Sequence, residues 1–197
     1  MRQLVQRRSV RGLMRALTSA NIVSLDMRGL ATAKIAAIDS ADFAGLSTAS
    51  VALLSGDLLK AVSAAQIKGL TTTNVAGLNV SGISSGAVAG LEDADLGVLS
   101  TSQIASFSAA NVVGLTTAQL SSLDTANSSA LGTSGLVYLS TAAVQGLLPA
   151  QVQNLSATQA GYLTSAQLTA LSTTNIADLA IQGVATANLS AIDSRDF

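Results

Sequence analysis

Cysteine, histidine and tryptophan are absent from this chain, and proline occurs once, at Pro149. Without Cys or His there are no disulfides, no thiol chemistry, no zinc site of the usual ligand set and no imidazole acid–base catalysis. Aromatic residues make up 3% of the chain and charged residues 11%, with a net charge of −1. Phosphate recognition needs a field of Lys and Arg, so nucleic acid is not expected as a partner. Between Thr125 and Ala177 there is no charged residue of either sign. Low charge combined with 49% apolar content also argues against disorder. Although the mean hydropathy is +0.50, Ser, Thr, Asn or Gln interrupts every apolar run. None approaches the roughly 18 residues that a membrane span needs.

What the chain does have is a repeat. From Ile83 onward, an apolar residue returns every eighth position: Leu91, Leu99, Phe107, Leu115, Leu123, Leu131, Leu139, Leu147, Leu155, Leu163, Leu171 and Leu179. With that residue as position 8, position 5 is aliphatic in ten of the twelve octads, Ser128 and Ala160 being the exceptions. Position 1 is Ser or Thr in eight octads, and position 4 is Gln, Asn or Asp in nine. The unit reads [ST]-T-A-[QN]-[ILV]-A-x-L.

Spacing decides the local structure. Positions 5 and 8 are three apart, which places them on one face of a helix but on opposite faces of a strand. Ser/Thr at position 1 with Gln at position 4 has the spacing of a capping box: the hydroxyl accepts from a backbone N–H, and the Gln reaches back to the cap. Asn, being shorter, is expected to close the box less well. One continuous helix is excluded, because eight residues advance it by two turns plus about 80°, and the Leu stripe would wander around the axis. The helix must restart in every octad. Helices this short are not stable alone and must bury against their neighbours. The expectation is therefore an all-α solenoid of very short capped helices, one per octad; a β-solenoid is the alternative.

Three five-residue steps interrupt the count, at 26–30 ("DMRGL"), 79–83 ("NVSGI") and 180–184 ("AIQGV"). Six octads separate the first two and twelve separate the second and third. If each pentad is a loop bulging from one face, the number of octads per coil divides six. Three is favoured, since a one-residue corner suits a turn of about 120°. Tyr138 and Tyr162, both at position 7 and three octads apart, would then stack. Residues 17–43, 70–96 and 171–197 align without gaps, so the organisation is a basic segment at 1–16 followed by an octad solenoid over 17–197. Ending at Phe197, on position 5 of an unfinished octad, the array suggests an end covered by another subunit or a piece of something longer.

Three acidic pairs, Asp39/Asp42, Glu92/Asp95 and Asp193/Asp196, occupy positions 1 and 4 of the second octad after each pentad. Helix-start chemistry explains them most simply. The sharper reading is a stripe that binds calcium or a basic partner, although calcium wants six to eight oxygens. Glycosidase chemistry is discounted because no aromatic cleft accompanies the pairs. Arg2, Arg7, Arg8, Arg11 and Arg15 read as a polar cap on the first coil, as a contact for an acidic surface or as a basic arm for nucleic acid, capping being the commonest role for a terminal repeat; they are not followed by the apolar stretch of a signal peptide. Ser/Thr rows at positions 1 and 2 invite comparison with ice-binding arrays, but capping explains position 1 better.

"LTTAQLSSL" (115–123), "LTSAQLTAL" (163–171) and "LPAQVQNLSATQAGYL" (148–163) resemble the tandem L-[ST]-x-x-Q-[IVL]-x-x-L arrays of very large bacterial surface and secreted proteins, often labelled adhesin-like or haem-utilisation-like. The resemblance runs from about Leu17 to Ile192. It implies an extracellular or cell-surface location reached without a conventional N-terminal signal peptide, and a structural role. The start of each octad also resembles the first short helix of TAL-effector repeats, but their second helix and base-reading loop are missing. The reading is a non-enzymatic fibre subunit or adhesin stalk without a cofactor. It would assemble head-to-tail with itself, the Arg-rich segment meeting Asp193, Asp196 and Phe197. A surface module binding calcium or glycan through its acidic stripe or Ser/Thr face is the alternative.

Overall fold

The computed structural model describes residue 22, residues 27–190 and residue 192. The arginines at 2, 7, 8, 11 and 15, and Asp193, Asp196 and Phe197, lie outside the described residues. Those described form eighteen short α-helices and four 3-10 turns, with no strand among them. The all-α expectation holds and the β-solenoid alternative falls.

Octad 116–123 shows how each unit closes. Thr116 has extended backbone (φ −89, ψ 164) and caps the helix Thr117–Ser122. Its Oγ1 accepts from the Gln119 N–H at 3.2 Å, and Gln119 Oε1 accepts from the Thr116 N–H at 2.9 Å. Leu120 N–H then donates to Thr116 O at 3.0 Å, and Leu123 N–H to Leu120 O at 3.2 Å. At Leu123 the chain is extended again (φ −66, ψ 138), which ends the helix and turns the corner. The same box closes at Ser63/Gln66, Ser100/Gln103, Ser156/Gln159 and Thr164/Gln167. Asn closes it at some repeats only: Asn74 Oδ1 accepts from Thr71 N–H at 2.7 Å and Asn111 Oδ1 from Ser108 N–H at 2.8 Å, as tightly as Gln, whereas Asn127 and Asn175 leave the box open, as the shorter arm leads one to expect. At Asn74 the octad narrows to the 3-10 turn Val75–Gly77, while Asn111 closes its box on the α-helix Ala109–Val112.

Two compact units divide the chain, Met1–Leu91 and Glu92–Phe197. Within each, helices pack against those three repeats away. In the first unit, Ser40–Phe43 packs on Ala64–Lys68, and Thr48–Ala52 on the turn Val75–Gly77. In the second, Asp93–Val98, Thr117–Ser122, Thr141–Val144 and Ser165–Ala170 form one continuous stack. Three repeats make one coil. Positions 5 and 8 form the core; Leu120, Leu136 and Val144 are fully buried, and Leu115, Leu123 and Leu139 nearly so.

The pentads depart from the loop reading. Val80–Gly82 packs on Gly56–Lys60, and the next helix, Ser85–Val88, packs on Ala64–Lys68. Likewise Ile181–Gly183 packs on Ala157–Gly161, and Thr186–Leu189 on Ser165–Ala170. Each of these pentads is therefore a complete side of the coil, folded as a single 3-10 turn, and does not bulge from it. Three per coil is correct, but the assumption used to reach it is not: counting a pentad as one repeat, the steps at 26–30 and 79–83 are seven repeats apart and fall on different sides.

Tight coil spacing explains the glycines at position 7. A Cβ on Gly69 would overlap the backbone carbonyl of Ser40, one on Gly77 that of Thr48, and one on Gly146 that of Thr117. Each clash is with position 2 of the repeat one coil back, and a backbone oxygen has no rotamer by which to move away. Gly69→Ala is expected to cost about 1–3 kcal/mol by forcing coils apart, measurable as a lowered denaturant midpoint; an unchanged midpoint would contradict the close approach. Gly132 serves differently. Among the described residues only its φ is positive, at 65°. The left-handed turn lets helix Gly132–Tyr138 follow Thr125–Ala130 directly, with no Ser/Thr cap between them.

Candidate functional site

Position 4 carries the densest polar chemistry in the molecule. Among the described residues, eleven of the twelve buried polar side chains stand there, from Ser50 to Asn175; Ser128, at position 5, is the exception. For an amide at this position, capping is only half of its role. Gln66 Nε2 donates to Ile35 O at 2.8 Å and Ile38 O at 2.7 Å. Gln151 Nε2 donates to Leu120 O at 2.8 Å and Leu123 O at 2.6 Å. Gln167 bonds Leu136 O at 2.8 Å and Leu139 O at 2.9 Å, and Asn74 bonds Phe43 O and Leu46 O, both at 2.9 Å. The acceptors are positions 5 and 8 of the repeat one coil and one side earlier.

The geometry explains the residue type. A carboxamide has one acceptor oxygen and two N–H donors. Its oxygen satisfies an orphan N–H at the start of its own helix. Its two donors satisfy carbonyls at the end of another helix, in the coil below. A hydroxyl lacks a second donor and a carboxylate has none, so only Asn and Gln complete the set. The exposed Thr48 and Thr117 hydroxyls add further ties, donating to Thr73 O at 3.1 Å and Ala142 O at 2.8 Å. Three amides depart from the pattern: Gln159 Nε2 donates to Ser129 O at 2.6 Å, Asn127 Nδ2 to Leu99 O at 3.2 Å, and Asn175 Nδ2 to Leu147 O at 2.7 Å while its buried Oδ1 has no partner.

The acidic pairs separate. Glu92 and Asp95 form a capping box at helix Asp93–Val98, with the Asp95 carboxylate accepting from the Glu92 N–H at 3.2 Å. Asp39 is exposed and makes no cap bond with its side chain, while Asp42 is half-buried. Asp193 and Asp196 lie outside the described residues. Among the described residues, no three acidic side chains converge to hold a metal ion. No described helix is long and apolar enough to cross a membrane.

Among the described residues, Asp95 is the one acid at a buried position 4. Burial pushes its carboxyl above the ordinary carboxylate range; the Glu92 N–H bond pulls it down and the Glu92 charge adds to the rise. A folded-state pKa above the unfolded value means that Asp95 favours folding fully below the unfolded pKa, and that this contribution is lost as pH rises through the folded pKa. Asp95→Asn, an amide like those elsewhere at position 4, is therefore expected to raise the melting temperature at neutral pH, with the gain shrinking toward acid. Parallel pH–stability profiles for the two proteins would refute the assignment.

Sequence spacing exposes the capping half of position 4 but not the coil-to-coil half, because the acceptors lie 28 and 31 residues away. Their own repeat spacing was the available signal. Comparison with known proteins agrees with a repeat architecture: the chain is similar to the ALTTAQ repeat over residues 88–125, a match that includes the Thr116–Gln119 box. No curated protein and no solved structure matches the chain.

Proposed function

We propose that the chain is a non-enzymatic structural scaffold of the extracellular space or cell surface, a segment of a fibre or stalk. The observation that carries this reading is the use of the buried polar groups. Among the described residues eleven of twelve sit at position 4, where most of them cap helices or tie coils, so this interior chemistry is committed to holding the backbone. Most octads share one sequence pattern and one capping scheme, as expected of a module selected for length. A cysteine-free, weakly charged chain suits the extracellular setting.

Head-to-tail continuation of one copy by the next is the assembly that fits the repeat, since residues 171–197 align with 17–43. The arginines at 2–15 would meet Asp193, Asp196 and the apolar Phe197. Such a contact is heterologous and generates filaments unless its rotation closes a ring. Mass by light scattering over a range of concentrations tests it, with deletions of 1–15 and of 193–197 beside the full chain. Growth of mass with concentration in the full chain alone supports the reading. Equal, monomeric masses for all three would overturn it.

A further inference from the structure

The chain has five aromatic residues, three Phe and two Tyr. Phe43 and Phe107 are in the core. Both tyrosines are on the surface, each 51% exposed. Tyr138 and Tyr162 occupy position 7 of octads 132–139 and 156–163, whose helices Gly132–Tyr138 and Ala157–Gly161 pack directly on each other. Their equivalent places are thus one coil apart, a spacing of about 8–10 Å for packed helices. The stack extends to helix Ala109–Val112 on one edge, followed by the exposed Val113, and to the turn Ile181–Gly183 on the other.

We infer that this stack is a binding strip for a neutral, extended polysaccharide, with Tyr138 and Tyr162 as its stacking platforms. Charge narrows the ligand. Repeats 108–115, 132–139, 156–163 and 180–184 contain no charged residue, and no Lys or Arg occurs between Lys68 and Arg195. Nucleic acids, sulfated chains and uronic acid polymers therefore find no cation on this stack. The two half-exposed rings are the only aromatic surface among the described residues, and a protein partner would have to draw most of the roughly 1,000 Å² of a specific interface from other side chains. A sugar ring needs less: an apolar C–H face to lie on an aromatic ring, and hydrogen-bonding groups at its edge. Thr158 and Gln182 are exposed on the same stack. A regular platform spacing suits a regular polymer: at about 8–10 Å per coil, every second sugar of an extended chain meets the next platform. Neither ring is needed in the core, so the strip adds to the scaffold role without depending on it.

Retention of the full chain on microcrystalline cellulose and on chitin, with heparin and polygalacturonate as anionic controls, tests the inference. Wild type is expected to be held by at least one neutral polymer and by neither anionic one. Tyr138→Ala or Tyr162→Ala should weaken retention several-fold, and the double alanine variant should abolish it. The double phenylalanine variant should keep most of it, because stacking needs the ring. Circular dichroism should show the same helix content in every variant. Absence of retention on both neutral polymers would overturn the inference, as would undiminished retention of the double alanine variant. A fall in wild-type self-association on removing the rings, without any glycan retention, would assign the strip to a second copy of the chain and equally overturn it.

Discussion

Gln167→Ala should lower stability by about 2–4 kcal/mol, an effect of the size seen when several buried partners are left unsatisfied at once. Three groups are affected. The Thr164 N–H loses its acceptor at 2.9 Å, and the Leu136 and Leu139 carbonyls lose their donor at 2.8 and 2.9 Å. Leu136 O retains the Leu139 N–H at 3.2 Å, so it is only half-orphaned. Substitutions at this residue should rank by the groups they restore. Asn is expected to recover most of the loss, as Asn74 makes both inter-coil bonds at 2.9 Å. Glu keeps the acceptor but points a donorless charge at two carbonyls, and should do worse than Ala at neutral pH. Denaturant melts of the series check this; if Glu is as stable as Gln, the inter-coil donor has no energetic role.

Leu123→Ala is expected to cost about 2–5 kcal/mol, the range for deleting a buried leucine from a site that cannot collapse. Collapse is opposed here by the backbone on both sides. Leu123 is 3% exposed, and its carbonyl is held by Gln151 at 2.6 Å. Neighbouring coils are already in contact through position-7 glycines. The void should therefore persist and the melt should fall accordingly. A loss below about 0.5 kcal/mol, the level of an ordinary surface change, would mean that position 8 is not the core.

Much of this fold is legible in the octad because its determinants are local. The Thr116/Gln119 box and the Leu120/Leu123 pair lie within eight residues, so spacing alone reports them. The coil number is not local. It emerged from the pentads on the premise that they are loops, whereas Val80–Gly82 is a full side of the coil. A five-residue turn replaces an eight-residue helix because both begin and end at corners, and no composition rule shows that. Gly69 and Gly146 are equally silent in sequence; their purpose appears only when the carbonyls of Ser40 and Thr117 arrive one coil away. The acidic pairs show the opposite failure. Equivalent in sequence, Asp39 and Glu92 differ in structure, because only Glu92 sits in a closed box.

Trans-hydrogen-bond scalar coupling measured by NMR tests the central claim, that position-4 amides lock each coil to the one before. In uniformly labelled protein, the Gln167 and Gln151 side-chain nitrogens should couple to the carbonyl carbons 31 and 28 residues earlier: Leu136 and Leu139, and Leu120 and Leu123. Their NH₂ protons should also exchange slowly with solvent. Rapidly exchanging side-chain amides without such couplings, or couplings to carbonyls at any other separation, would contradict the three-repeat coil and the ladder that holds it.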